Sequence, residues 1–208
     1  MLSALICLDE INSLHSQMIA LWHAEELRNP YTGFCHIVCQ QLQFNYLLWH
    51  EEDKVRSPTA SLKVVAEAKR NIDRYNQQRN DWMEKIDDAI TEYLVNQNVT
   101  PVAGAQQNSE SIGSIVDRLA ILALRIYHLE ELIQSKDASV EQREQAERRL
   151  AIAAEQHHDL TAAIRLLVEE IGQGRKRHKT YRQLKLYNNP LFNPFLTRDT
   201  PSDNPTVR

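Results

Sequence analysis

The stretch NYLLWHEEDKVR, residues 45 to 56, puts ionisable and amide side chains where a helix should bury apolar ones. At 100° per residue, Phe34, Ile37, Val38, Leu48 and Trp49 define one face, and Gln41, Asn45, Glu52 and Arg56 fall within that arc, with Asp53 at its edge. Three other segments do the same. Asn76 and Arg79 interrupt a heptad-like stripe, with Asn80 and Asp87 alongside; Asp117 and His128 share a face with Ile121 and Leu124; and His157 lies inside the seam of Leu150, Ala153, Leu160, Ile164 and Leu167. A buried charge without a partner is expensive, so these groups must meet one another, a metal or a ligand.

The chemistry such a set could do follows from its residue types. Arg56, Arg79 and Arg118 are donors suited to phosphate or carboxylate, because the planar guanidinium binds oxyanions bidentately. Glu52, Asp117 and His128 could orient hydroxyls or act as general acid and base. The expected ligand is a small anion, phosphorylated or a sugar phosphate, and no cofactor is required. Long bundles also use buried Asn, Arg and Glu to fix register with no ligand involved. Register needs one or two such residues, whereas this chain offers at least eight.

Five helical stretches must position these groups. The periodicity predicts helices from Ser3 to Arg28, stopped by Asn29-Pro30; from Gly33 to Arg56, stopped by Ser57-Pro58; from Ser61 to Asn96; from Ser111 to Gln134; and from Ser139, with Gln142 completing a capping box, to about Gly172. The fourth is apolar on two faces and should be central. Nothing reads as a strand. The fold class expected is all-α, an antiparallel bundle of about five long helices: one domain over residues 1–190 and an extended, partly disordered tail over 191–208.

Composition narrows the function classes. The 208 residues carry 24 Lys and Arg against 28 Asp and Glu, a balance that argues against a nucleic-acid coat. Three cysteines cannot close a disulfide framework, and Cys35 and Cys39 read as buried thiols in a reducing cytoplasm. MLSALICLD lacks a basic flank and is cut short by Asp9, so neither a signal peptide nor a membrane span is expected. Self-association into a homo-oligomer stays open. The segment RKRHKTYRQLKLY, from Arg175, is either a basic cluster complementing a helix dipole or a flap facing phosphate.

The motifs NYLLWHEEDKVR, IDRYNQQRNDWMEKID, GSIVDRLAILALRIYHLEE and YRQLKLYNNPLFNP together resemble a bacterial all-helical family, domain of unknown function 4254, over about Asn45 to Pro194. The resemblance implies no reaction. It implies that Asn45, Trp49, Glu52, Asp53, Arg56, Asn76, Arg79, Asn80, Asp117, Arg118 and His128 match the family pattern, as do Lys185, Tyr187 and Asn188. Most of the inward polar residues are among them.

Two other resemblances define alternatives. Glu52 with Asp53, and Glu84 with Asp87, resemble the carboxylates that hold magnesium in helical nucleotide pyrophosphatases, which would make the protein a phosphoanhydride hydrolase with Glu52 and Asp53 as metal ligands. The Glu-x-x-Glu spacing of those enzymes is missing. His158-Asp159 is similar to the doublet of metal-dependent phosphohydrolases, but both residues point away from the seam and read as a solvated face. A non-catalytic helical scaffold binding a protein partner is the remaining class.

Overall fold

In the computed structural model, which describes residues 2–184 and 190–196, five helices carry the chain: α1 Leu8–Ala24, α2 Gly33–Arg56, α3 Leu62–Asn96, α4 Ile112–Gln134 and α5 Val140–Gly172. Three starts are set by serines. Ser61 accepts from the Val64 amide, Ser111 from that of Ser114, and Ser139 with Gln142 forms the reciprocal capping box. The first helix is shorter than its periodicity predicts. Leu2–Ala4 form a 3₁₀ turn, and α1 stops at Ala24 because the Trp22 indole donates to the Arg28 carbonyl at 2.9 Å, holding the following segment against the helix instead of continuing it.

The short connections make α2 with α3, and α4 with α5, antiparallel hairpins, and α4 touches all four other helices. Ile112, Val116, Leu119, Ala120 and Leu124 give α4 its central place, each buried against the neighbouring helices. Each of the Ile, Val and Leu side chains contributes about 1.5–3 kcal/mol. Gly113 lets α3 approach, since a Cβ there would meet the Met83 carbonyl at 2.4 Å. Asp87 of α3 uses the same gap: its carboxylate accepts from the Gly113 amide at 2.7 Å. Its inward position thus serves the N-terminus of α4, where a carboxylate is favoured, although burial raises its pKa.

The expectation of no strand needs correction. Gln106–Gln107 (β1) and Lys176–Arg177 (β2) form a parallel two-residue bridge. Gly174, at φ +72°, turns the chain after α5 back onto the linker that precedes α4, and its carbonyl accepts from the Val102 amide. From the basic segment after α5, His178 and Arg182 then contact α3. The His178 Nε2 donates to the Asp87 carbonyl at 2.9 Å, and Arg182 pairs with Glu84 at 3.1 Å and Asp88 at 2.9 Å. Of the expected tail, residues 191–196 are described and include a 3₁₀ turn at Pro194–Leu196, with Leu191, Phe192 and Phe195 exposed. Among the described residues, no helix is long and apolar enough to cross a membrane.

Candidate functional site

Where α2, α3 and α4 meet, the bundle opens into a cleft of about 450 Å³. Asn45, Trp49, Glu52 and Arg56 line it from α2, and Asn76 and Arg79 from α3, over an apolar floor of Ile121 and Leu124. All six polar or aromatic positions were on the inward arcs read from the sequence. They converge because α2 and α3 form one hairpin packed on α4, with both arcs turned towards it.

Asp117 lies behind this wall. One carboxylate oxygen accepts from both buried amides of α2, Gln41 Nε2 at 2.5 Å and Asn45 Nδ2 at 2.9 Å. Arg79 Nε is 3.8 Å from that oxygen, too far for a hydrogen bond, and it is buried with no acceptor among the described residues. Burial raises the Asp117 pKa, opposed in order by the Arg79 charge and the Asn45 and Gln41 amides. Arg56 pairs with Glu52 at 3.0 Å at the cleft mouth, the arginine exposed and the glutamate half-buried.

The other expected residues lie elsewhere. Asp53 is exposed and does not line the cleft; it follows Glu52 by 100° around α2, so the two cannot present carboxylates in one direction. Glu84 and Asp87 are engaged with Arg182 and the α4 N-terminus, so the structure does not bring the four carboxylates of the magnesium reading together. Arg118, next to Asp117 on α4, turns outward and pairs with Glu110 at 2.9 Å. Asn80 is buried but is not part of the cleft wall. His157 of α5 lies near His15 of α1, whose pKa it helps to lower. Lys185, Tyr187 and Asn188 lie outside the described residues. Burial pushes the Cys35 thiol up to about 11 and that of Cys39 to about 12, so both stay protonated.

His128 is not in the cleft. It stacks on Trp49, ring centroids 4.7 Å apart, and meets two histidines that the helical arcs did not single out, His23 of α1 and His50 of α2. A ring nitrogen of each lies within 4.8 Å of the others, making these three imidazoles a candidate metal-ligating group among the described residues. Burial, then the neighbouring His23 and His128, lower the His50 pKa. A signal for this cluster is present in the sequence: Leu21-Trp22-His23, Leu48-Trp49-His50 and Ile126-Tyr127-His128 are three versions of one apolar-aromatic-histidine triplet on three helices.

Neither a curated protein nor a solved structure shows significant similarity to the chain. Residues 35–180 match the family described as "Protein of unknown function (DUF4254)". That span takes in the cleft, His50 and His128, starts ahead of the resemblance read from the motifs, and ends before YRQLKLYNNPLFNP. On that match, the chain belongs to the DUF4254 family.

Proposed function

We propose that the protein binds a small anionic ligand, phosphorylated or a sugar phosphate, in the cleft between α2, α3 and α4, with Arg79 and Arg56 as its principal donors. The observation that carries this reading is the Arg79 Nε, buried at the cleft wall without an acceptor among the described residues while the Asp117 oxygen nearest to it is taken by two amides. Arg keeps its proton under these conditions, so a ligand oxyanion would relieve an unmet donor. Arg56 is held at the mouth by Glu52 and can exchange that partner for the ligand. The cleft volume suits a metabolite-sized molecule. Of the side chains given possible catalytic roles, Glu52 is the one that lines the cleft and could meet a bound hydroxyl directly. The same reading places the protein in a reducing bacterial cytoplasm, in keeping with its three free cysteines.

Calorimetry with inorganic phosphate, pyrophosphate, nucleotides and sugar phosphates tests it. At least one anion should bind the wild type, and Arg79→Ala should weaken it by about 10- to 100-fold, the worth of a charged hydrogen bond, with helix content preserved. Tight binding of an uncharged sugar, equal in both proteins, would overturn it.

A further inference from the structure

His23, His50 and His128 reach one place from three helices, and the Nε2 of each is buried with no hydrogen-bond partner among the described residues. The opposite nitrogens explain which way the lone pairs point. His23 Nδ1 is 2.8 Å from the Ile19 carbonyl, which only accepts, so Nδ1 carries the proton and Nε2 is a bare lone pair. His128 Nδ1 lies 3.2 Å from a Glu131 carboxylate oxygen, which sets the same tautomer. An unpaired buried nitrogen costs free energy, and here three of them lie together. A cation shared by the three rings would offset that cost.

We propose that His23, His50 and His128 bind one divalent transition-metal ion of the zinc class through their Nε2 atoms, leaving a further coordination position for water or an exogenous ligand. Imidazole nitrogens suit zinc, copper, iron or nickel, not magnesium or calcium. Three protein ligands with an open position is the arrangement of reactive zinc sites, whereas structural sites are closed by four. Zn–N bonds of about 2.0–2.1 Å at tetrahedral angles require nitrogens about 3.4 Å apart. Ring nitrogens that already come within 4.8 Å of one another would each need to move by less than about 1 Å to reach that spacing. The Ile19 carbonyl and Glu131 carboxylate are the outer partners that metal-bound histidines use to fix ring orientation.

The aromatic residues preceding these histidines build the walls. Tyr127 stacks on His23 with centroids 4.3 Å apart, and Trp49 stacks on His128. Tyr46 packs edge-on to His50 and His23, and its hydroxyl is committed to the Trp22 carbonyl, so it supports the rings without competing for the ion. The site does not rest on the anion reading: its ligands are distinct from the arginines of the cleft.

The test uses the full chain, stripped with a chelator and titrated with Co²⁺, followed by Zn²⁺ displacement. One Co²⁺ per chain should bind with the visible absorption of a four- or five-coordinate site, Zn²⁺ should displace it, and the melting temperature should rise because the ion ties α1, α2 and α4 together. X-ray absorption on the zinc form should report about three imidazole ligands. His50→Ala should abolish binding, Glu131→Gln should weaken it about 10- to 100-fold as loss of an outer partner does, and His158→Ala should leave it unchanged. Absence of Co²⁺ and Zn²⁺ binding to the wild type, or uptake that His50→Ala leaves intact while helix content is preserved, would overturn the proposal. If His50→Ala fails to fold, the wild-type absorption spectrum decides: a shell without imidazoles rejects the site.

Discussion

The indole of Trp49 and the imidazole of His128 lie face to face, planes 10° apart and centroids 4.7 Å apart, and the same indole lines the arginine cleft. One side chain of α2 is therefore a wall of two polar sites. Trp49→Ala should remove the stack and open the cleft wall, with a cost of about 1–3 kcal/mol for a partly buried aromatic. Trp49→Phe should keep most of that. Urea denaturation with an unchanged slope is the measurement, and equal midpoints for the two variants would show that the stack contributes nothing.

Asp117 concentrates the polar network, and its removal should cost more than any other cleft change. Asp117→Ala leaves the Gln41 and Asn45 amides without their acceptor and Arg79 without its counter-charge. The expected loss is about 2–4 kcal/mol, below the full cost for a wholly buried pair because Arg79 is partly exposed. Asp117→Asn keeps an acceptor oxygen and should cost less. The pH dependence separates charge from shape: a folded pKa raised by burial contributes stability below the unfolded pKa and loses it as pH rises through the folded value. The advantage of wild type over Asp117→Asn should thus shrink as pH is raised from 4 to 7; an advantage that grows would mean that Arg79, not burial, dominates.

What the sequence revealed, and what it hid, follow from the range of the interactions involved. The starts of α3, α4 and α5 were legible because a serine and the amide three residues on form a cap within one turn. The cleft was legible because Asn45, Glu52, Asn76 and Arg79 each break an apolar arc on their own helix, a local signal. Which arcs face each other depends on the rotation of the helices, which periodicity does not carry. Hence Asp87, inward like Arg79, turned out to cap α4, and Arg118, placed with the anion donors, faces Glu110 on the outside. The histidine cluster escaped as a group for a similar reason: His128 was on an inward face of α4, but His23 and His50 each follow a tryptophan and were on no arc read as polar, and no spacing within one helix links the three.

The strongest acid sensitivity should come from a histidine that belongs to neither site. His15 of α1 is fully buried, and neither ring nitrogen has a hydrogen-bond partner among the described residues. Burial, and secondarily His157 on α5, lower its pKa from 6.5 to about 3. A histidine depressed on folding contributes stability above its unfolded pKa and loses it as pH falls towards the folded value. Each pH unit below 6.5 should therefore remove about 1.4 kcal/mol, to a total on the order of 4–5 kcal/mol near pH 3. His15→Leu has a similar volume, removes two unmet polar atoms and has no proton to take up. It should match or exceed the wild type at pH 7, and its stability should fall less steeply between pH 6.5 and 4.5. Urea denaturation of both proteins across that range measures the difference, and parallel profiles would mean that His15 is hydrated or protonated in the folded state.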